Sequence, residues 1–286
     1  MDHREKSRPQ AALDAQRFHY KRGLGQNFIF DEGLLAALAE DAGVTREDDV
    51  LEIGPGSGTL TAQLAQRARR VLAVELDEAL LPVLAQTLAP YPNARVLHGD
   101  ILRTDVAALI AEHLPGRCKV VANLPYYITT EVLTRLLLCA APIDTIAVMV
   151  QREVADKLVA QPGQEGYGFL PALCAWRAQL HRARQVPAAC FTPRPKVDST
   201  FLLLRLRETP PVPCADEAAL LRVLRCAFFM RRKTMVNNLQ NTFSLTRDDA
   251  INCVLAAGRG ERVRGEALGL EEFARITDAL CKLQKK

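Results

Sequence analysis

Val50-Leu51-Glu52-Ile53-Gly54-Pro55-Gly56-Ser57-Gly58 is the stretch on which the fold turns. A short buried strand, Val50 to Ile53, runs into a loop with glycine at every second position. A helical pattern follows from Thr59 to about Arg69, with Leu60, Leu64 and Ala68 on one face. Strand, glycine loop and helix in that order let the backbone approach a nucleotide-like ligand closely. The spacing is G-x-G-x-G, neither the G-x-G-x-x-G of dinucleotide binders nor a phosphate loop ending in Gly-Lys. No lysine follows to grip a phosphate, which argues against a triphosphate ligand.

Further strands repeat the pattern outward from this point. Val71 to Val74 ends in Glu75, about twenty residues past the glycine loop, where a carboxylate accepts hydrogen bonds from both hydroxyls of a ribose. Arg95 to Leu97 runs into Gly99-Asp100, which places Asp100 to accept from an adenine amino group. Val120-Val121-Ala122 closes on Asn123-Leu124-Pro125-Tyr126, and Thr145 to Val150 makes a fifth strand. In open α/β sheets the C-terminal tips of the strands are where ligands bind.

The Asn123–Tyr126 tip suits the exocyclic amino group of a flat base. The Asn123 side-chain oxygen and the Leu124 carbonyl both accept from an NH2 group. Pro125 stiffens the loop, and Tyr126 offers a face for stacking. Singly, each feature has a plain structural reading: Asn and Pro end strands, Glu75 is a solvated strand end, and Asp100 caps a helix. Four successive strand ends carrying a glycine loop, Glu, Asp and Asn-Leu-Pro-Tyr, in that order, weigh more than the sum of those readings. The pattern resembles the S-adenosylmethionine-dependent methyltransferases, and within them those that methylate adenine N6. Direct displacement from a sulfonium requires no metal, no covalent nucleophile and no strong base, and no metal site is expected.

Composition sets outer limits. The chain has 286 residues, 49% of them hydrophobic, which suits one large and one small domain. Its apolar stretches are too short for a membrane span. The eight cysteines show no C-x-x-C pair and no histidine at metal spacing, which points to a reducing cytoplasm without zinc or a disulfide framework. Net charge is only +4, but between Arg177 and Arg207 seven basic residues face one acid, Asp198. A second cluster, Arg231-Arg232-Lys233, follows two phenylalanines. Beside a base-sized pocket such clusters read as a phosphate-contacting face.

The expected architecture is α/β: a Rossmann-like sheet followed by a small all-helical C-terminal domain. Residues 1–20 are expected as a flexible tail, 21–207 as the catalytic domain, and 208–286 as the helical domain that contacts RNA. Arg182 to Val186 and Thr200 to Leu206 are expected as an antiparallel pair at the sheet edge. The proline-rich Glu208 to Pro213 reads as the linker. Helices are expected at Gln151–Ala160, Phe169–Gln179, Glu217–Phe229, Lys233–Gln240, Arg247–Ala257 and Glu271–Leu283.

Longer blocks complete the pattern: Lys21-Arg22-Gly23-Leu24-Gly25-Gln26-Asn27-Phe28, Phe191-Thr192-Pro193-Arg194-Pro195-Lys196-Val197-Asp198-Ser199, and Phe228 through Leu239 with its Arg-Arg-Lys-Thr core. From about Arg22 onward the chain resembles the ribosomal RNA adenine dimethyltransferases, and among them the branch that acts on the bacterial small subunit. The resemblance implies a cytoplasmic, monomeric enzyme. It would give N6,N6-dimethyladenine at two adjacent adenines of a hairpin loop near the 3′ end of 16S rRNA, inside an immature small subunit. It implies S-adenosylmethionine contacts from Asn27, Ile29, Gly54, Gly56, Glu75, Asp100 and Asn123. It further implies a target base held by Asn123, Leu124 and Tyr126, with Phe191 stacking from an exposed loop on the other face. Arg194, Lys196, Arg231, Arg232 and Lys233 are the expected RNA contacts. Ile29 stands where the family mostly has Leu, and Tyr167-Gly168-Phe169-Leu170-Pro171 departs from the commoner Tyr-Gly-x-Leu-Ser. Three rivals stand beside this reading: a relative that methylates large-subunit RNA and confers antibiotic resistance, a non-catalytic nucleic-acid-binding relative, and a DNA adenine methyltransferase, which would need a duplex-reading domain that the sequence does not show.

Overall fold

Seven strands form one sheet in the computed structural model, which describes residues 8–284. They are β1 (Asp49–Ile53), β2 (Arg70–Glu75), β3 (Ala94–His98), β4 (Cys118–Asn123), β5 (Ile143–Gln151), β6 (Ala178–Val186) and β7 (Ser199–Leu206), in the spatial order β3-β2-β1-β4-β5-β7-β6. β1 through β5 run parallel, and β7 lies antiparallel to β5. The order reverses at β1, so the crevice beyond its C-terminal tip is the topological switch point, the place where open α/β sheets bind ligands. Gly54 follows β1 and Asn123 ends β4, the two strands that flank this crevice.

β1 and β4 are buried along nearly their whole length, as a parallel sheet covered on both faces requires. At the opposite edge Asp49 is buried and accepts hydrogen bonds from Arg69 and Arg70. Burial works to raise its carboxyl, and the two guanidinium bonds outweigh that, holding it below the ordinary carboxylate range.

The helices of the first compact unit, which runs up to Ala155 and includes Leu180–Leu206, begin with α1 (Arg8–Ala15) and α2 (Glu32–Asp41). There follow α3 (Thr59–Ala65), α4 (Leu81–Leu88), α5 (Val106–His113) and α6 (Thr129–Leu138). Asp31 and Asp105 cap α2 and α5 by accepting from the Leu34 and Ala108 amides. Of the expected tail, Arg8–Ala15 is instead helical: Ala12 and Leu13 are buried in a cluster with Leu80, Val83, Leu84 and Leu88. Its short apolar face is what α4 covers. Residues 1–7 lie outside the described residues.

The second unit joins Asp156–Gln179 to the chain from Arg207 onward. The sequence reading placed 156–179 with the sheet; here they group with the helices. α7 (Arg152–Leu158) leads into this unit, and α8 (Phe169–Arg177) lies within it, its Trp176 buried and donating through Nε1 to Glu217 at 2.7 Å. α9 (Glu217–Phe229), α10 (Met235–Phe243), α11 (Arg247–Ala256) and α12 (Leu270–Gln284) complete it. Thr246 and Asp249 form a reciprocal cap on α11, with Asp249 N–H donating to Oγ1 of Thr246, and its hydroxyl donating to the Asp249 carboxylate. A common core holds Trp176, Leu220, Leu224, Leu239, Val254 and Phe273.

Among the described residues no helix is long and apolar enough to cross a membrane. Burial pushes the Cys118 and Cys174 thiols up to about 12, as befits small hydrophobes in a core.

Candidate active site

Two cavities open at the switch point, and they share a waist formed by Gln26, Gly54, Glu75 and Pro125. The first is lined by Asn27, Ile29, Glu52, Gly56, Asn123 and Tyr126, among others. The second carries Leu76, Gly99, Asp100, Ile101 and Tyr127. The waist and its two lobes therefore gather the expected cofactor residues Asn27, Ile29, Gly54, Gly56, Glu75, Asp100 and Asn123 from five separate chain segments.

The glycine loop is shaped by its dihedrals. Gly56 has φ +61°, and a Cβ there would stand 2.8 Å from the Phe28 ring, so only glycine combines this turn with that close approach. The loop is tied to the next strand end: Gly56 N–H donates to Oε2 of Glu75 at 3.0 Å, and Asp77 N–H donates to Oε1 at 2.8 Å. A carboxylate has about four acceptor positions, so Glu75 keeps capacity for ligand hydroxyls. Burial raises its carboxyl above the ordinary value, against the pull of those backbone donors. Asp100 accepts from the Leu102 amide through Oδ1 at 2.9 Å and likewise keeps Oδ2 for a second donor.

Asn123 is held in one sense. Its Nδ2 donates to the Asn27 carbonyl at 2.9 Å, which leaves Oδ1 as the available acceptor of a residue that lines the first cavity. Leu124 is buried behind it. The turn that follows uses the Pro125 carbonyl, which accepts from Ile128 N–H and from Thr129 Oγ1. The Tyr126 hydroxyl shares a 2.8 Å hydrogen bond with Ser199 Oγ on β7, which fixes its half-buried ring at the cavity wall.

Phe191 is a correction. Its polar neighbours pointed to an exposed loop, but the residue is 3% exposed and sits in a cluster with Ile29, Leu35, Val186 and Phe201. Phe191-Thr192 pairs antiparallel with Phe28-Ile29. Alternation along that short ribbon turns Phe191 inward and Thr192 outward, so its ring is not presented on an exposed loop.

The basic surplus also divides. Arg184 is bound to Asp41 and Arg177 to Glu217, so neither is a free cation. Arg194 and Lys196 are exposed. In the second unit Arg231 reaches the Tyr167 carbonyl and, at 3.8 Å, Glu266, whereas Arg232 and Lys233 are exposed beside Phe229, itself 81% exposed.

Sequence reasoning missed three cavity residues. Glu52 is 1% exposed, and Oε2 has no hydrogen-bond partner; burial, with the nearby Glu75 charge, pushes its carboxyl up to about 8. The signal was an acid inside an apolar strand. Gln26 lies at the waist, and Tyr127, 58% exposed, walls the second lobe; it was visible only as a repeated tyrosine.

The lining fits S-adenosylmethionine: the waist holds a carboxylate, Glu75, with spare acceptor capacity, one lobe carries Asp100, and the other leads to Asn123. The family model described as "Ribosomal RNA adenine dimethylase" matches residues 17–267. "Ribosomal RNA small subunit methyltransferase A" of Ligilactobacillus salivarius is 42% identical over 97% of this chain and 95% of its own. The protein of the same name from Shouchella clausii is 42% identical over 98% and 96%. Among solved structures, a dimethyladenosine transferase from Plasmodium falciparum superposes with TM-score 0.71 at 22% identity, covering 90% of this chain and 98% of that one. The 23S rRNA methyltransferase ErmE superposes with TM-score 0.66 at 27% identity, covering 89% and 99%. Sheet order, cavity and these matches agree, and the chain belongs to the ribosomal RNA adenine dimethylase family.

Proposed function

We propose that this S-adenosylmethionine-dependent rRNA adenine dimethyltransferase acts on small-subunit (16S) rRNA, converting two adjacent adenines of the hairpin loop near its 3′ end to N6,N6-dimethyladenine. The single observation that carries the reading is the Asn123 amide, pinned by Asn27 so that its oxygen is presented to the cavity beside Glu75. Named small-subunit methyltransferases that match nearly end to end support the choice of subunit.

Bound S-adenosylmethionine supplies an electrophilic methyl group. The chain's own contribution is orientation. The N6 lone pair of adenine is delocalised into the purine, and acceptors at Asn123 Oδ1 and the Leu124 carbonyl favour a pyramidal nitrogen with its lone pair turned outward. Such interactions strengthen as the transition state forms and therefore raise turnover. Tyr126 supplies the stacking face for a base extruded from its loop, and a loop adenine costs less to extrude than a paired one. Within this reading Asn27, Ile29, Gly54, Gly56, Glu75 and Asp100 hold the cofactor.

The immature small subunit, the monomeric state and the cytoplasmic setting belong to the same proposal. Arg194 and Lys196 of the first unit, and Arg231, Arg232 and Lys233 of the second, are its phosphate contacts. The run from Ala218 to Arg247 holds six basic residues and no acid, a composition that suits a polyanion. The test is methyl transfer from labelled S-adenosylmethionine to unmethylated small and large subunits, with mass mapping of the modified nucleotides. Label confined to two adjacent adenines of 16S rRNA is expected; label in 23S rRNA, or none, overturns the reading.

A further inference from the structure

We propose that Asp77 is a positioning residue for methyl transfer: it clamps the Lys21–Asn27 segment to the end of β2 and, through the Asn27 carbonyl, sets which atom of the Asn123 amide faces the base. The inference rests on the reading of Asn123 as the group that orients the amine.

Asp77 is 3% exposed, and each of its polar groups is engaged. Oδ1 accepts from Lys21 Nζ at 2.6 Å and from the Ala79 amide at 3.1 Å, and Oδ2 accepts from Gln26 Nε2 at 2.8 Å. Its own N–H donates to Glu75. Gln26 Oε1 in turn accepts from the Lys21 amide at 2.7 Å, closing the segment on itself. The next residue, Asn27, donates through Nδ2 to Gly25 O, and its carbonyl receives Asn123 Nδ2. An unbroken path thus joins Glu75, at the cavity waist, to Asn123, in the first lobe, by way of Asp77, Gln26 and Asn27.

The path matters because a primary amide is nearly symmetric in shape. Its oxygen and nitrogen occupy similar space, and only hydrogen-bond partners decide which one points at the substrate. An Asn123 presenting Nδ2 to the N6 amine would set donor against donor. The Asn27 carbonyl prevents this, and it lies on a backbone anchored on one side by the buried carboxylate of Asp77, through Gln26, and on the other by the pairing of Phe28-Ile29 with Phe191-Thr192. Bonds from Lys21 and Gln26 to that carboxylate are charge-assisted and hence stronger than neutral ones.

Asp77 also caps the turn Glu78–Leu80, so its removal loosens the start of α4 as well. Gln26→Ala avoids this because the cap stays intact. The experiment uses the full chain and measures single-turnover methyl transfer to unmethylated small subunits for the wild type, Gln26→Ala, Asp77→Ala and Asp77→Asn. Each substitution is also made together with Asn123→Ala. Product affinity is read by calorimetry with S-adenosylhomocysteine, and backbone opening by hydrogen exchange. Gln26→Ala is expected to lower the transfer rate about tenfold, the size of one lost hydrogen bond. Combined with Asn123→Ala, the further loss is expected to fall below about twofold, because the amide it orients is gone. Asp77→Ala is expected to be the more severe, Asp77→Asn to recover part of the rate, and amides 21–27 to exchange faster in Asp77→Ala. Full multiplication of the two losses, an unchanged rate in Gln26→Ala, or unchanged exchange across 21–27 overturns the proposal. A wild-type protein that transfers no methyl group overturns the functional reading instead.

Discussion

Replacing Glu52 by glutamine tests the electrostatics of the cavity floor. The carboxyl is fully buried, Oε2 lacks a partner, and its folded-state value is pushed up to about 8 from an ordinary 4.5. The fold therefore favours the protonated form. The stability this group contributes is fully present below 4.5, and it is lost as the pH rises toward 8, since the native state holds a proton that the unfolded chain releases. Between 4.5 and pH 7 lie about 2.5 pH units at about 1.4 kcal/mol each, so wild type should lose about 3 kcal/mol relative to Glu52→Gln over that interval. Glutamine does not titrate, and any constant offset from the amide cancels in the comparison. The readout is hydrogen exchange of the β1 amides 49–53 at pH 4.5, 6, 7 and 8, corrected for intrinsic rates. The single tryptophan, Trp176, lies in the helical unit and cannot report on this strand. A wild-type minus variant difference that stays flat across the range would refute the burial argument, because it would mean that Glu52 is ionised in the native state or open to water.

Three further outcomes are expected. Asn123→Ala should leave S-adenosylhomocysteine affinity within about twofold while lowering the transfer rate a hundredfold or more, as loss of a transition-state hydrogen bond does; an unchanged rate removes Asn123 from the mechanism. Neutralising Arg231, Arg232 and Lys233 together should weaken small-subunit binding and reduce the slope of log affinity against log salt by about 2 to 3, and a wild-type slope would rule out phosphate contacts there. Gly56→Ala should cost about 1–3 kcal/mol of stability and weaken cofactor binding, because φ +61° strains alanine and the new Cβ meets Phe28; unchanged affinity by calorimetry would show that the loop relaxes freely.

Much of the site was legible along the chain because its residues occupy strand tips, and a strand tip is a local feature. A short, mostly apolar run ending at or just before Gly54, Glu75, Asp100 or Asn123 announces itself without any knowledge of which strands lie side by side. The expected ends of α9 and the start of α11 match the structure for the same reason, since each begins at a side-chain cap, Asp216 or Thr246. Two boundaries moved: the helix expected from Lys233 starts at Met235, after its Thr234 cap, and the one expected to reach Gln179 stops at Arg177, where the chain turns into β6.

What the sequence by itself determined is the run of parallel strands, the residues that stand at each tip, and the helical character of the C-terminal part, all properties carried by periodicity and capping within a dozen residues. Tertiary structure alone decided that Phe191 is core, that 156–179 group with the helices, that Arg177 and Arg184 are spent on Glu217 and Asp41, and that Asp77 reaches back to Lys21 and Gln26. Each of these depends on partners tens of residues away. Hydrogen bonding and burial are settled by what lies across the gap, and a chain read in one dimension does not contain that distance.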